Sequence, residues 1–219
     1  MITLIATRHT ESGLCDLNEL NKIIERISPN LISVENSPEG LAASNSGLHP
    51  DSLETKAVNL YSIKHTISHV PVDIDINKLI DINIKNQIED MFDYFYNYPV
   101  HQELTNQHHE LSNKYGFPYL NSNQCSNLLK RKYFLEKELV KNNQNHSQTF
   151  NGWTNIHEYR EREMIKKIYS YSKTNKDDCA LFLVGAEHRS PIIAKIAMFE
   201  EKTKSKLDWN FNYLDKYKI

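Results

Sequence analysis

Leu181-Phe182-Leu183-Val184-Gly185-Ala186-Glu187-His188-Arg189-Ser190-Pro191-Ile192-Ile193-Ala194-Lys195-Ile196 contains the transition that decides the fold. An unbroken apolar run from Cys179 to Val184 gives way at Gly185 to apolar residues at helical spacing, which reads as a buried strand, a turn and an amphipathic helix. Pro191 suits a first helical turn, where its missing N–H costs nothing, and Ser190 is the candidate N-cap. Glu187 and His188 are then expected in a loop at the carboxyl end of a strand, the edge where open α/β sheets bind ligands. The chain opens in the same way, because Ile2-Thr3-Leu4-Ile5-Ala6-Thr7-Arg8-His9 reads as a strand ending in a histidine.

Working outward, Leu17, Leu20, Ile23, Ile24 and Ile27 recur at helical spacing behind Asp16, a candidate cap, and Ser28-Pro29-Asn30 ends the helix. Leu31 to Glu35 is a second strand, and the strand–helix–strand order implies a right-handed parallel crossover. Asn36 to Pro50 reads as a long loop, the kind that serves as a lid or binding segment. Leu53 to His65 is expected to be helical, and His69 to Asp75 to be a short buried strand with Asp73 and Asp75 on one face. From 83 to 143 no strand is legible. Helices at 84–97, 101–115 and 124–141 make this a helical insertion within a single α/β domain spanning 1–219. Asn142 to Gly152 reads as a polar connection, Asn155 to Lys173 as a helix, and Leu207 to Leu214 as an edge strand with Trp209, Phe211 and Tyr213 alternating. The fold class is therefore α/β, with a mainly parallel central sheet flanked by helices and a helical insertion.

A chain of 219 residues is long enough for one well-buried domain. The net charge of −2 is spread without blocks, which argues against a nucleic-acid partner or a polybasic membrane surface. No stretch approaches the roughly 20 apolar residues that span a bilayer, and the amino terminus lacks a signal-peptide pattern, so a cytoplasmic location is expected. The three cysteines are far apart and form neither a metal knuckle nor a disulfide framework.

His9, Glu35, Asp73 or Asp75, Glu187 and His188 all fall at strand ends, so a parallel sheet would bring them to one edge. Two imidazoles with carboxylates suit Zn²⁺, Mn²⁺, Fe²⁺ or Co²⁺, and a metal with an open position activates water for hydrolysis. Taken singly, each has a plainer reading as a hydrogen-bonding strand-end residue. Arg160 to Glu163 reads as a charged helix face, His101, His108 and His109 as a solvated helix, and Met91 to Tyr96 as helix packing.

The joint pattern resembles a known superfamily. Ala6-Thr7-Arg8-His9 resembles the amino-terminal GTxH motif of the TraB/TIKI-type, ChaN-like and erythromycin-esterase proteins, with Ala6 in place of the first glycine. Glu35 stands where that family ends its second strand in an acid. Arg160 to Ile168 looks like its R-(D/N)-x-x-M-x-x-x-I helix, and Gly185-Ala186-Glu187-His188 matches its second GxxH. The helical middle has no counterpart in that family that matches residue by residue. The resemblance implies a metal-dependent hydrolase of peptide or ester bonds in which His9, Glu35 and His188 hold a divalent cation (Mn, Zn, Co or Fe) or one of them acts as base. Arg160 would stabilise an oxyanion or bind a substrate carboxylate, and Glu187 would orient His9 or His188. From their strand-end positions, Asp73 and Glu187 are also candidate substrate contacts. The alternatives are a non-catalytic ligand- or haem-binding sensor, as the ChaN-like branch implies, and a defence or toxin component whose insertion binds a partner. A small-molecule or peptide substrate is expected; the oligomeric state is left open.

Overall fold

The computed structural model describes residues 1–48, 50–175 and 179–216. Five parallel strands form one sheet: β1 (Ile2–Thr7), β2 (Leu31–Val34), β3 (Ser68–Pro71), β4 (Ala180–Gly185) and β5 (Trp209–Asn210), in the order β3-β2-β4-β1-β5. The fold is α/β, as the alternation of apolar strands and amphipathic helices predicts. β4 lies between β1 and β2, so the crossover from β1 to β2 skips a strand.

Alternate residues of each strand feed two apolar layers. Ile5, Ile32, Leu181 and Leu183 pack against α1 (Leu17–Ile27) and α3 (Leu53–Ser62) on one face. Leu4, Leu31, Phe182 and Val184 pack against α7 (Gln144–Thr174) and α8 (Ala186–Thr203) on the other. The connections after β1 and β2 thus leave on one face and the connection after β4 on the other, which opens a crevice at the carboxyl edge between these strands. Asp16 caps α1 by accepting from the Glu19 N–H at 2.8 Å.

Between β3 and β4 lie α4 (Ile82–Tyr96), α5 (Pro99–Leu120, kinked at Gly116) and α6 (Asn123–Val140), the stretch expected as a helical insertion at 83–143, and the start of α7 packs with them. Met91 and Phe95 are fully buried with Val140 and Phe150 in a separate small core, as expected for helix packing. His101 departs from the expected solvated helix, being 2% exposed and bonded to Glu136 at 2.9 Å. Among the described residues no helix is long and apolar enough to cross a membrane.

Several elements differ from the sequence reading. The loop expected at 36–50 contains a helix, α2 (Pro38–Asn45), with Ser37 capping the Gly40 N–H and Pro38 in the first turn; His49, in the same stretch, lies outside the described residues. The polar stretch 142–152 is the start of the 31-residue α7, because Asn143 caps it and Phe150 buries inward. β3 is a half-exposed edge strand that stops at Pro71. Asp73 and Asp75 therefore separate: Asp73 is buried and ion-paired, while Asp75 caps the short turn Ile76–Lys78. Only Trp209 and Asn210 of the expected last strand pair, against Ile2 and Thr3. Helix α8 begins at Ala186, so Glu187 and His188 sit in its first turn and Pro191 inside it.

Because β5 is so short, the outer edge of β1 at Ala6 is open, and the Asn121 side chain fills it as a substitute strand. Its Oδ1 accepts from Ala6 N at 2.8 Å, and its Nδ2 donates to Ala6 O at 3.0 Å. Asn121→Ala would leave both backbone groups buried and unpaired, which is expected to cost about 2–4 kcal/mol in chemical denaturation.

Candidate functional site

The strand order lays four polar groups in a row along the carboxyl edge: Asp73 after β3, Glu35 after β2, His188 after β4 and His9 after β1. Glu35 lies at the centre of the row. Its Oε2 accepts the Gly185 N–H at 2.6 Å, where the start of α8 also favours negative charge. Its Oε1 accepts from Arg160 Nη2 at 2.7 Å and lies 3.3 Å from His188 Nε2. Arg160, reaching in from α7, also forks onto Asp73 with contacts of 2.6, 3.1 and 3.2 Å. On the far side His188 Nδ1 lies 2.8 Å from Glu161 Oε1, and Glu161 Oε2 accepts from Lys195 at 2.7 Å. The side chains of Glu35, His188 and Glu161 are 6%, 6% and 4% exposed, so this ion lattice is desolvated.

Gly185 is required for the convergence. A methyl carbon there would lie 3.0 Å from Glu35 Oε2 and 3.8 Å from both His188 Cδ2 and His9 Nε2, so the glycine leaves open the space into which three strand ends point. His9 is oriented by a residue that the sequence reading missed. Glu54, from the first turn of α3, holds His9 Nδ1 at 3.3–3.4 Å and is itself fixed by the Thr7 hydroxyl at 2.6 Å. The Leu53 N–H donates to the His9 carbonyl at 2.8 Å, tying the same turn to the backbone. His9 Nε2 is thereby turned toward Gly185.

The charge states follow from these contacts. Burial alone would lower the His188 pKa, but the bonds to Glu161 and Glu35 outweigh it and raise it to about 9. Burial opposes ionisation of Glu35, yet His188, His9 and Arg160 together hold its carboxyl well below the usual range. Burial likewise opposes ionisation of Glu161 and Glu54, and their cationic partners reverse the sign in both. The bond to Glu54 raises His9 to about 9; with 57% of its side chain exposed, water screens this pair more than the others. His157 stacks on His188 with ring centroids 4.9 Å apart; half-buried, it is lowered to about 4 by desolvation and by the His188 and Arg160 cations.

Two cavities flank the lattice. One of about 490 Å³ lies under the insertion, lined by Phe92, Tyr133, Phe150 and Trp153 together with His157, Glu161, Glu187, Lys132 and Lys195. The other, of about 380 Å³, is lined by Glu35, Asp73 and the turn at 74–77.

The structure brings His9, Glu35, Arg160, His188 and Asp73 together. Glu187 is not among them: its side chain is 63% exposed, it lies 3.8 Å from Lys132, and Glu54 and Glu161 perform the orienting expected of it. Glu54 reads in sequence as an ordinary first-turn acid and Glu161 as part of a charged face. The His157/Glu161 spacing of four was the signal available for that pair.

A metal held through bonds of roughly 2.0–2.2 Å requires ligand atoms within about 4.4 Å of one another. Among the described residues, the group of His, Cys, Asp and Glu whose ligand atoms approach this, all within 4.8 Å, is His157, Glu161 and His188. His9, Glu35 and His188 do not form such a group, and Glu35 and His188 Nε2 are already engaged with each other and with Arg160. The chain matches no protein-family model, no curated protein and no solved structure.

The lattice sets a pH dependence of stability in chelated buffer. Glu35 is depressed from 4.5, so its contribution is present above that value and lost as pH falls. His188 is raised from 6.5, so its contribution is complete below 6.5 and lost as pH rises through about 9. Denaturation across pH is expected to show both limbs, with the alkaline one reduced in Glu161→Gln. Gly185→Ala is expected to destabilise by about 1–3 kcal/mol, because Glu35 is held by three partners and cannot move aside.

Proposed function

We propose that the chain is a hydrolase of ester or peptide bonds in which His9 is the general base toward water. The observation that carries this reading is the Thr7–Glu54–His9 relay, in which a buried carboxylate holds Nδ1 and directs Nε2 at the space beside Gly185. A carboxylate-oriented imidazole with a free Nε2 is the arrangement general-base catalysis needs. Water placed there loses its proton to His9 and attacks the substrate carbonyl; the tetrahedral intermediate then breaks its bond to the alcohol or amine, which leaves with the proton returned by His9.

Arg160 contributes through Nη1, the nitrogen outside its bonds to Asp73 and Glu35, by offering a fixed cation to the developing oxyanion. Glu35 and Asp73 hold that guanidinium in place. The resemblance of Ala6-Thr7-Arg8-His9 and Gly185-Ala186-Glu187-His188 to the TraB/TIKI-type and erythromycin-esterase motifs supports the same reaction class.

A panel of activated esters, amides and short peptides tests the proposal. Turnover is expected for at least one class, with His9→Ala slower by about 10²–10⁴-fold at unchanged fold. Absence of turnover on the whole panel, or an unaffected His9→Ala, would contradict it. Since Glu54 raises His9, the rate should climb with pH up to about 9, and Glu54→Gln should shift that limb toward 6.5.

A further inference from the structure

We propose that His157, Glu161 and His188 form a binding site for a single divalent transition-metal cation of the Zn²⁺ type, opening onto the cavity beneath the insertion. His157 and Glu161 are four residues apart on α7 and so project from one face of it, and His188 meets them from the first turn of α8. Their ligand atoms all lie within 4.8 Å of one another. Two imidazoles and one carboxylate are a donor set of catalytic zinc sites, which keep a fourth position for water or substrate.

A second, independent observation is that His157 Nε2 is buried with no hydrogen-bond partner. Leaving such an atom unsatisfied is costly, and a bound cation satisfies it. The surroundings match what a ligating histidine requires. His188 Nε2 faces Glu35 Oε1 at 3.3 Å and keeps its proton there, while an ion that enters between Nδ1 and Glu161 Oε1, 2.8 Å apart, displaces the Nδ1 proton of the imidazolium, which gives a carboxylate–histidine–metal unit. Lys195 holds Glu161 Oε2, and Oε1, which accepts from His188 Nδ1, turns to the ion once that proton is displaced. The rings of His157 and His188 stack, 4.9 Å apart at 22°, so ion binding requires His157, at the cavity wall, to turn out of the stack and bring its lone pair to the other two ligands. The open position then faces a space of about 490 Å³ walled by Tyr133, Trp153 and Lys195. Glu35 becomes the group that orients a ligand, not a ligand itself.

This inference does not rest on the hydrolase reading, and one set of variants separates the two. The full chain is stripped with chelator, titrated with Zn²⁺ by calorimetry, and loaded with Co²⁺ to read visible absorption. One equivalent is expected to bind, with affinity falling by more than about tenfold in His157→Ala and Glu161→Gln and unchanged in His9→Ala. His157→Gln, which keeps the side chain's bulk, replaces the alanine variant if circular dichroism shows that one to be unfolded. The proposal is overturned if the wild type takes up neither ion, if both His157 variants bind as the wild type does, or if His9→Ala is the change that abolishes binding. Loss of hydrolysis in His9→Ala with ion binding intact leaves the site standing.

Discussion

The structure depends on how one buried carboxylate is held. Glu35 lies at the end of the second strand with its side chain 6% exposed, and its charge is kept by three donors from three other places in the chain: the Gly185 N–H, Arg160 and His188. Each donor belongs to a different element, so the carboxylate joins β2, β4, α7 and α8 at one point. Replacing a buried ion lattice by apolar groups is often neutral or stabilising for folding. Keeping one in a crevice of an open sheet is therefore better explained by chemistry at that crevice than by stability.

The insertion and the long α7 serve this point. α7 begins in the small core of the insertion, with Phe150, and ends against the sheet with Ile165 and Ile168. Between those anchors it presents His157, Arg160 and Glu161, so a single rigid helix delivers groups to both sides of His188. Arg160 turns toward Glu35 and Asp73, and Glu161 toward His188 and Lys195. His188 is shared by both sides, which couples the exposed His9 side of the edge to the cavity under the insertion.

Much of the frame was legible in the sequence because strand ends in a parallel sheet share an edge. The apolar runs ending in His9, Glu35 and Gly185 placed those groups correctly, and the motif order supplied Arg160. What was not legible came from side chains whose partners lie far away in sequence. Glu54 looks like a helix-favouring acid until Thr7 and His9 are seen around it, and Glu161 like one charge in a run until Lys195 and His188 meet it. The start of α8 was misplaced because Ser190-Pro191 is a strong local signal, whereas the observed N-cap is a glycine that makes no side-chain cap bond. The helix at 38–45 was missed because its composition reads as loop, although Ser37-Pro38-Glu39 carries a cap, a first-turn proline and a first-turn acid.

The central claim is that His9 and His188 are held by carboxylates in one electrostatically coupled edge, with the half-buried His157 beside His188 as a neutral ring. Imidazole NMR titration of the chelated protein tests it most directly. The account predicts that His9 and His188 titrate near 9 and His157 near 4, with Glu35→Gln lowering His188. Three histidines titrating together near 6.5, or a His188 indifferent to Glu35→Gln, would contradict it.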